Sequence, residues 1–400
     1  MKAPRPSTLV TICAMSAWLL AAGCTSGDDD PATSASGATG GAGGTGGAGG
    51  AGGSGGSGGA PDACAELEAA LQQRLDEARI ATDSPGAVQA VITPACGRWV
   101  GASGESAPGE PMRPDHALRL GSTTKTYVAA AILQLASEGA LGLDDPLETW
   151  VPGFPGGAEI TVRQMLNHSS GIFNYTADPA FFPAAEADPD KVWPPQELVD
   201  IAAAHPPDFP PGQGWNYSNT NYILLGMIIE AATGAGAAGV LRARLLDPLA
   251  LESTSLDGEE PLAGDLARGY NIAGDDVTEL FDLSIAWTAG AMVGNAGDVA
   301  DWALALYTGR ALDAASRQEM LDNPVETGTA GVRYGLGVFE LDASAAGVQA
   351  WGHGGDIFGY HTQMFYFPEM ESVIVSIVNS DRGSPNDLTA PALQLLLGAD

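Results

Sequence analysis

The chain has 400 residues, of which 45% are hydrophobic, so it is long and apolar enough for a sizeable core in one large domain or two ordinary ones. Acidic residues outnumber basic ones by 49 to 17, which gives a formal net charge of −32 at pH 7. A surface of this sign repels nucleic acid and anionic lipid, and we therefore expect neither as a direct partner.

The N-terminus has the pattern of an export signal. Lys2 and Arg5 precede the apolar run TLVTICAMSAWLLAAG, which ends in the small residues of a cleavage site. The segment LLAAGC resembles the lipobox of bacterial lipoproteins, although Ala21 replaces the usual leucine three residues before the cysteine. We predict a signal peptide over residues 1–23 and a cell-envelope lipoprotein that carries lipid on Cys24, with ordinary secretion as the alternative.

A tract rich in Gly, Ala and Ser follows over residues 24–61 and is too poor in large apolar side chains to order itself. Its length corresponds to a root-mean-square span on the order of 30 Å, enough to hold a domain clear of a membrane. We predict a tether here and a folded domain over residues 62–400. That domain contains Cys64 and Cys96, and we expect them to form a disulfide in an oxidising compartment.

Hydrophobic spacing predicts the elements of this domain in chain order. Leucines at helical spacing indicate a helix over residues 64–80, and the runs GAVQAVIT, CGRWVGAS and HALRLG are typical of strands. The middle of the chain is rich in helices and loops. Strands return in YGLGVFEL, GVQAWGHG, YHTQMFYF and SVIVSIVN, before a helix near 386–397. We predict an α/β (α+β) fold, in which an antiparallel sheet made by both termini packs against an inserted helical lobe, with the site in the cleft between them.

The stretch LRLGSTTKTYVA places a serine and a lysine three residues apart. The apolar residues after Gly121 predict a helix that ends near Gly139, so Ser122 and Lys125 lie one turn apart on the same side. A serine hydroxyl is a weak nucleophile at neutral pH, and a partly desolvated lysine with a lowered pKa can accept its proton. An isolated pattern of this kind is more typical of a helix cap beside a surface charge.

A second motif lies in PGQGWNYSNTNY, directly before the apolar helix YILLGMIIEAATG. It consists of Tyr217, Ser218 and Asn219. A tyrosine held beside a lysine can relay a proton, and an asparagine two residues later can orient a substrate amide. Alone, the same tripeptide would be interpreted as a turn.

A third motif lies in WGHGGDIFGYHT, where His353, Gly354 and Gly355 end a predicted strand. Glycines at this place allow a close approach between the backbone and a ligand. The next backbone N–H, that of Asp356, could pair with that of Ser122 as an oxyanion hole. A lone histidine in such a strand is otherwise typical of packing.

Together, STTK, YSN and HGG resemble in type, order and rough spacing the motifs of the serine penicillin-recognising hydrolases. This superfamily includes class C β-lactamases, low-molecular-weight D-alanyl-D-alanine carboxypeptidases, D-aminopeptidases and related esterases. The segments ITVRQMLNHSSGIFNY, WTAGAMVGNAGDVADW and YGLGVFE are most similar to the secreted carboxypeptidases. The resemblance extends over about residues 66–382.

The resemblance implies an acyl-enzyme mechanism without metal or cofactor. Ser122 attacks the carbonyl, and Lys125 and Tyr217 exchange its proton with the leaving group. Asn219 holds the substrate amide or Lys125, and the N–H groups of Ser122 and Asp356 hold the oxyanion. The expected substrate is a small peptide, a peptidoglycan stem or an ester, with β-lactams as covalent ligands. We expect a monomer.

Some residues depart from the carboxypeptidase pattern. Phe339 stands where the resembling carboxypeptidases have an arginine that binds the substrate's terminal carboxylate, and Asp356 stands where they have a hydroxyl residue. Arg333 or Arg268 is the alternative source of that positive charge. His353 replaces the lysine that often begins the third motif, and we expect its charge to vary near neutral pH.

The leading hypothesis is a D-alanyl-D-alanine carboxypeptidase-like serine hydrolase of the cell envelope. The alternatives are an esterase or D-amidase (aminopeptidase) acting on a neutral substrate, a β-lactamase, and a surface penicillin-binding sensor with a retired site. Two further residues stay open at this point. Trp287 either lines the cleft or packs in the core, and His168 in LNHSSG is expected to order a loop rather than to catalyse.

Overall fold

The computed structural model describes residues 60–398. The predicted signal peptide, Cys24 and tether fall outside these residues, so the division of the chain into leader, tether and domain stays a prediction. The strands are β1 Gly86–Thr93, β2 Gly97–Ala107, β3 Glu110–Pro111, β4 Leu118–Arg119, β5 Ser255–Leu256, β6 Met292–Gly294, β7 Val325–Glu326, β8 Val332–Tyr334, β9 Phe339–Leu341, β10 Ala350–Ile357, β11 Tyr360–Phe367 and β12 Ser372–Val378.

The helices include a long first helix, a central buried helix and a last helix that returns to the first. Their bounds are α1 Ala60–Ala81, α2 Thr124–Ser137, α3 Leu147–Trp150, α4 Val162–Leu166, α5 Phe181–Ala187, α6 Pro195–Ala203, α7 Asn219–Thr233, α8 Ala237–Leu241, α9 Trp287–Gly290, α10 Ala296–Thr308, α11 Ala314–Leu321, α12 Ala343–Ala346 and α13 Pro385–Leu397.

A nine-stranded antiparallel sheet is the base of the molecule, in the order β3-β2-β1-β12-β11-β10-β9-β8-β7. Strands from both ends of the chain meet at its centre, where β1 pairs with β12. Helices α1 and α13 cover one face and α10 covers the other. Every residue of β12 is therefore buried, which suits its predominantly apolar sequence SVIVSIV. The predicted sheet of both termini is confirmed.

The chain between β4 and β6 forms the predicted helical lobe. Its central helix is α2, which contacts α7 and α9 and is buried from Thr124 to Leu133. The small sheet β4-β6-β5 lies beside the turn that begins α2. The catalytic candidates at 122 and 125 thus belong to the most enclosed helix of the lobe.

The predicted disulfide is present between Cys64 and Cys96, whose Cα atoms are 5.4 Å apart. It joins the first helix to the turn between β1 and β2. Within residues 60–398, no single helix has the length and apolar composition to cross a membrane. One pair, Asn219–Thr233 with Ala237–Leu246, meets those criteria only jointly and is bent by 76°.

Some predicted strands differ from the structure. The strand predicted in GVQAWGHG is offset from β10, which continues past the HGG motif to Ile357. HALRLG contributes only the two residues of β4, and these pair in the small sheet rather than the large one. YGLGVFEL is divided by a turn between β8 and β9. Gly337 has a φ of +84° there, and a Cβ on it would lie 2.4 Å from Ala129 Cβ of α2. Contact with the buried helix, rather than strand periodicity, sets this turn.

Candidate active site

Ser122 lies in a short 3₁₀ turn, Gly121–Thr123, that leads directly into α2. Gly121 has a φ of +51°, and the Thr124 hydroxyl donates to its carbonyl at 2.7 Å, which closes the turn. The Ser122 side chain is half-buried, whereas its neighbours on both sides are buried. The turn therefore presents one hydroxyl at the edge of an otherwise enclosed helix.

Lys125 is fully buried, and its Nζ lies 3.1 Å from Ser122 Oγ. The same Nζ is 2.8 Å from Asn219 Oδ1 and 2.6 Å from the Ala289 carbonyl oxygen. Burial holds the pKa of Lys125 well below its ordinary value. A neutral amine has two N–H groups and one lone pair. The two carbonyl oxygens can take those N–H groups, which leaves the lone pair for the Ser122 hydroxyl proton.

Tyr217 comes from the segment before α7 and packs its ring 4.8 Å from Lys125 Nζ. Among residues 60–398, no group forms a hydrogen bond of ordinary geometry with its buried hydroxyl. Burial raises the pKa of Tyr217 well above its ordinary value, and the nearby Ser122 hydroxyl opposes this rise without reaching hydrogen-bond geometry. The phenol is therefore protonated near neutral pH.

Strand β10 brings the third motif against the Ser122 turn. A Cβ on Gly355 would lie 2.0 Å from the Leu120 carbonyl oxygen and 2.9 Å from Ser122 N. A Cβ on Gly121 would lie 2.7 Å from Asp356 N. The backbones are thus close enough to place the N–H groups of Ser122 and Asp356 as neighbours, as the predicted oxyanion hole requires.

The Asp356 carboxylate forms an ion pair with His361 Nδ1. His361 also approaches Asp381 Oδ1 with its Nε2 at 3.5 Å. Burial would lower the pKa of His361, but its hydrogen bonds to both carboxylates outweigh burial and raise the pKa to about 9. An imidazolium therefore bridges the oxyanion strand to the segment that follows β12 at neutral pH.

The expectation that His353 changes charge near neutral pH is wrong. The ring is 1% exposed, and burial is the largest cause of a pKa lowered to about 3. Its Nδ1 contacts the Gly354 carbonyl oxygen, and its Nε2 lies 2.9 Å from Tyr334 Oη. The first contact requires a proton on Nδ1, so Nε2 accepts from the tyrosine. His353 is a neutral, oriented ring and not a source of positive charge.

Phe339 lies at the start of β9 and packs against rings rather than charges. Its centroid is 4.6 Å from that of Tyr334 and 5.0 Å from that of His353. Arg333 pairs with Glu340 at 2.6 Å, and Arg268 pairs with Asp276 at 3.1 Å. Both arginines named as substitutes for the missing cation are thus bound to carboxylates.

Trp287 and the groups that sequence reasoning missed complete the site. Trp287 is buried in the main core with its Nε1 3.2 Å from Glu259 Oε1, as in the packing alternative, and its contact with substrate stays a prediction.

The Ala289 carbonyl could not be predicted from the sequence, because a contact made by the backbone leaves no residue-type signal. Tyr334 was visible in YGLGVFE, but its bond to His353 depends on strand pairing. Within the described chain, no group of three or more His, Cys, Asp or Glu could hold a metal ion.

The sheet, the helical lobe and the Ser, Lys and Tyr residues at their junction define a protein of the serine penicillin-recognising class. The chain belongs to the Beta-lactamase family, whose model matches residues 67–399. This confirms the family and the fold that the motifs predicted.

Two solved structures resemble the chain over most of its length. A D-stereospecific amidohydrolase from Streptomyces sp. has 36% identity and a TM-score of 0.72, covering 80% of this chain and 97% of its own. The D-amino acid amidase from Ochrobactrum anthropi SV3, complexed with L-phenylalanine, has 33% identity and a TM-score of 0.76, covering 84% and 99%.

Among curated relatives, Penicillin-binding protein 4* of Bacillus subtilis (strain 168) is 35% identical over 146 residues. The match spans 36% of this chain and 31% of the relative. The chain thus matches about a third of that protein's length, and the activity of the whole relative is not carried over to it.

Proposed function

We propose that the protein is a serine hydrolase that forms an acyl-enzyme at Ser122 and cleaves an amide or ester of a D-amino acid that has no free terminal carboxylate. The observation that carries this choice is the Phe339 position. Phe339 packs against aromatic rings at the sequence position where the resembling carboxypeptidases have a carboxylate-binding arginine, and the substitute arginines are paired with carboxylates. The similarity to two D-selective amide hydrolases supports the same substrate class.

The geometry supports a proton path through Lys125 and Tyr217. Ser122 Oγ bonds to the substrate carbonyl carbon while its proton passes to the lone pair of Lys125, 3.1 Å away. The N–H groups of Ser122 and Asp356 hold the oxyanion. When the C–N or C–O bond breaks, the leaving amine or alcohol takes a proton from Lys125, directly or through the Tyr217 hydroxyl. Water then attacks the acyl carbon and gives up a proton along the same path to Ser122 Oγ, whose bond to the acyl group breaks to release the acid.

In this path Lys125 rather than Tyr217 accepts the first proton. The sequence left the choice open, and the two groups are close enough to titrate together. Burial acts on them in opposite directions, since it favours the neutral amine and the protonated phenol. If Lys125 is the base, the free enzyme must hold Lys125 as a neutral amine and Tyr217 as a protonated phenol, and these are the forms that burial favours.

A D-alanyl-D-alanine carboxypeptidase is the second candidate. The motif set is the same, and the local identity to Penicillin-binding protein 4* favours it. A comparison of a D-Ala-D-Ala peptide, its C-terminal amide and a short D-aminoacyl ester separates the candidates, with Ser122→Ala as the blank. We expect hydrolysis of the amide and ester over the free acid, and a strong preference for the free acid would refute the proposal. Penicillin labelling of Ser122 without turnover of any substrate would indicate a sensor.

Phe339→Arg tests the reason for that preference. We expect the ratio of kcat/KM for the free-acid peptide over its amide to rise by ~10-fold or more, because an arginine offers the carboxylate a charge-assisted pair. Phe339→Leu is the matched control, since it removes the ring without adding charge. An unchanged ratio in the arginine variant would show that this position does not face the leaving group.

A further inference from the structure

His168 has a backbone conformation that a residue with a side chain rarely adopts. It follows α4 with a φ of +62°, and its side chain is fully buried. A left-handed conformation at such a residue is costly and persists where the surroundings determine it strongly. The structure around His168 shows what that conformation achieves.

His168 holds the chain on both sides of Tyr217. Its carbonyl oxygen accepts from the Asn216 N–H at 3.2 Å, and its Nδ1 accepts from the Ser218 N–H at 3.2 Å. Its ring lies against the ring of Tyr217, with centroids 4.2 Å apart and planes inclined by 31°. One residue therefore fixes the backbone before Tyr217, the backbone after it and the aromatic face between them.

The imidazole is itself fixed in one protonation state. Asn221 Nδ2 lies 3.1 Å from the same Nδ1, and Asn221 Oδ1 accepts from the Ser170 hydroxyl at 2.7 Å, which sets the amide orientation. Because Nδ1 accepts, the ring proton is on Nε2. Burial holds the pKa of His168 well below its ordinary value. A protonated ring would lose the acceptor that both N–H donors use.

We propose that His168 is a positioning residue for the acylation step: through its Nδ1 it holds the segment that carries Tyr217, and so places the Tyr217 hydroxyl beside Ser122 and Lys125. It acts through Tyr217 and is not a catalytic residue. The proposal rests on acylation at Ser122, as in the proposed function, and not on the identity of the substrate. The sequence predicted only that His168 orders a loop. The proposal adds that this order sets the rate of Ser122 acylation.

Two amide variants separate the role of Nδ1 from burial alone. In His168→Asn the side-chain oxygen takes the place of Nδ1, and asparagine tolerates the left-handed conformation. In His168→Gln the longer side chain places its polar group near Nε2 instead. The readout is the limiting rate and half-saturating concentration of Ser122 acylation by a fluorescent penicillin, with thermal unfolding measured in parallel. We expect the limiting rate to stay within ~10-fold of wild type in His168→Asn and to fall ~100-fold in His168→Gln, with half-saturation unchanged.

A double-mutant cycle with Tyr217→Phe tests whether His168 acts through Tyr217. Once the phenol is gone, His168→Gln is expected to cost less than ~3-fold more in rate, because the group it positions is absent. Equal rates for the Asn and Gln variants, or additive losses in the cycle, would overturn the proposal. Should His168→Gln not fold, the Asn variant decides alone, since a ~100-fold loss there contradicts an Nδ1 role. Acylation of wild type without release of an amide or ester product would refute the proposed function only.

Discussion

Lys125 combines two properties that no isolated S-x-x-K pattern provides. It is completely buried, and its hydrogen-bond partners are a hydroxyl, a side-chain amide and a backbone carbonyl rather than a carboxylate. A carboxylate at that distance would hold the ammonium charged. Neutral partners leave desolvation as the dominant influence on its pKa, so a basic lone pair faces Ser122.

Lys125→Arg is expected to lower the acylation rate of Ser122 by ~1,000-fold or more. Guanidinium stays charged and cannot accept the serine proton, and general-base catalysis of this kind contributes about 10² to 10⁴ in rate. Lys191→Arg is the matched control, because Lys191 pairs with Glu197 on the surface and should tolerate the change. The measurement is the rate of penicillin labelling. Near-normal labelling of Lys125→Arg would indicate that Tyr217, and not Lys125, is the general base.

At the scale of elements, the site depends on β10 lying against the turn that begins α2. Gly354 and Gly355 are adjacent in this strand but meet different surroundings. A Cβ on Gly355 would lie 2.0 Å from the Leu120 carbonyl oxygen, whereas a Cβ on Gly354 would meet only the Thr362 carbonyl oxygen at 3.6 Å. The two glycines therefore serve as a test and its control within one strand.

Gly355→Ala is expected to lower kcat by ~100-fold or more, because the strand must move away from Ser122 N and one oxyanion donor moves with it. Gly354→Ala should keep activity within ~5-fold, as its added methyl makes an ordinary contact. Ester hydrolysis and thermal unfolding of both variants provide the measurement. Equal loss in the two variants would show that strand flexibility, and not contact with the Ser122 turn, explains the need for glycine.

The sequence predicted strand boundaries correctly for central strands of the large sheet, which are buried along nearly their whole length. GAVQAVIT and YHTQMFYF match β1 and β11 to the residue, because central strands covered on both faces combine apolar runs with flanking turn residues. HALRLG and YGLGVFEL failed because contacts with α2 and the small sheet determine where β4 and β9 begin. In the site, the three motifs taken together identified Ser122 and Lys125, whereas the helical spacing of these two residues alone did not. The neutral state of His353 was not predictable, since it depends on burial by segments distant in sequence.

At the scale of the whole molecule, the site exists only when three separate parts of the chain come together. The turn before α2 supplies the serine and lysine, the segment before α7 supplies the tyrosine and asparagine, and β10 supplies the second oxyanion donor. The central sheet, which contains strands from both ends of the chain, holds β10 in place, because β10 pairs with β11 and β11 pairs with β12. Unfolding of the central sheet therefore removes the oxyanion hole as well as the core.

The charge state of His361 couples this sheet to pH. Its pKa is about 9 in the folded protein and about 6.5 when unfolded, so the folded state binds one more proton between these values. Its contribution to the free energy of unfolding is complete below pH 6.5 and is lost at about 1.4 kcal/mol per pH unit as the pH rises to 9. His353 acts on the other side of neutrality, since its buried neutral form loses its stabilising contribution as the pH falls from 6.5 towards 3.

His361→Asn removes the titrating ring that lies between Asp356 and Asp381. Urea unfolding of wild type and variant at pH 6, 7.5 and 9 is expected to show the largest stability difference at pH 6 and a smaller one at each higher pH. Other ionisable groups affect both proteins alike, so the difference between them isolates His361. A difference that stays constant with pH would show that His361 is not protonated between the two carboxylates. The oxyanion strand would then be held by packing and backbone pairing without a charge from this residue.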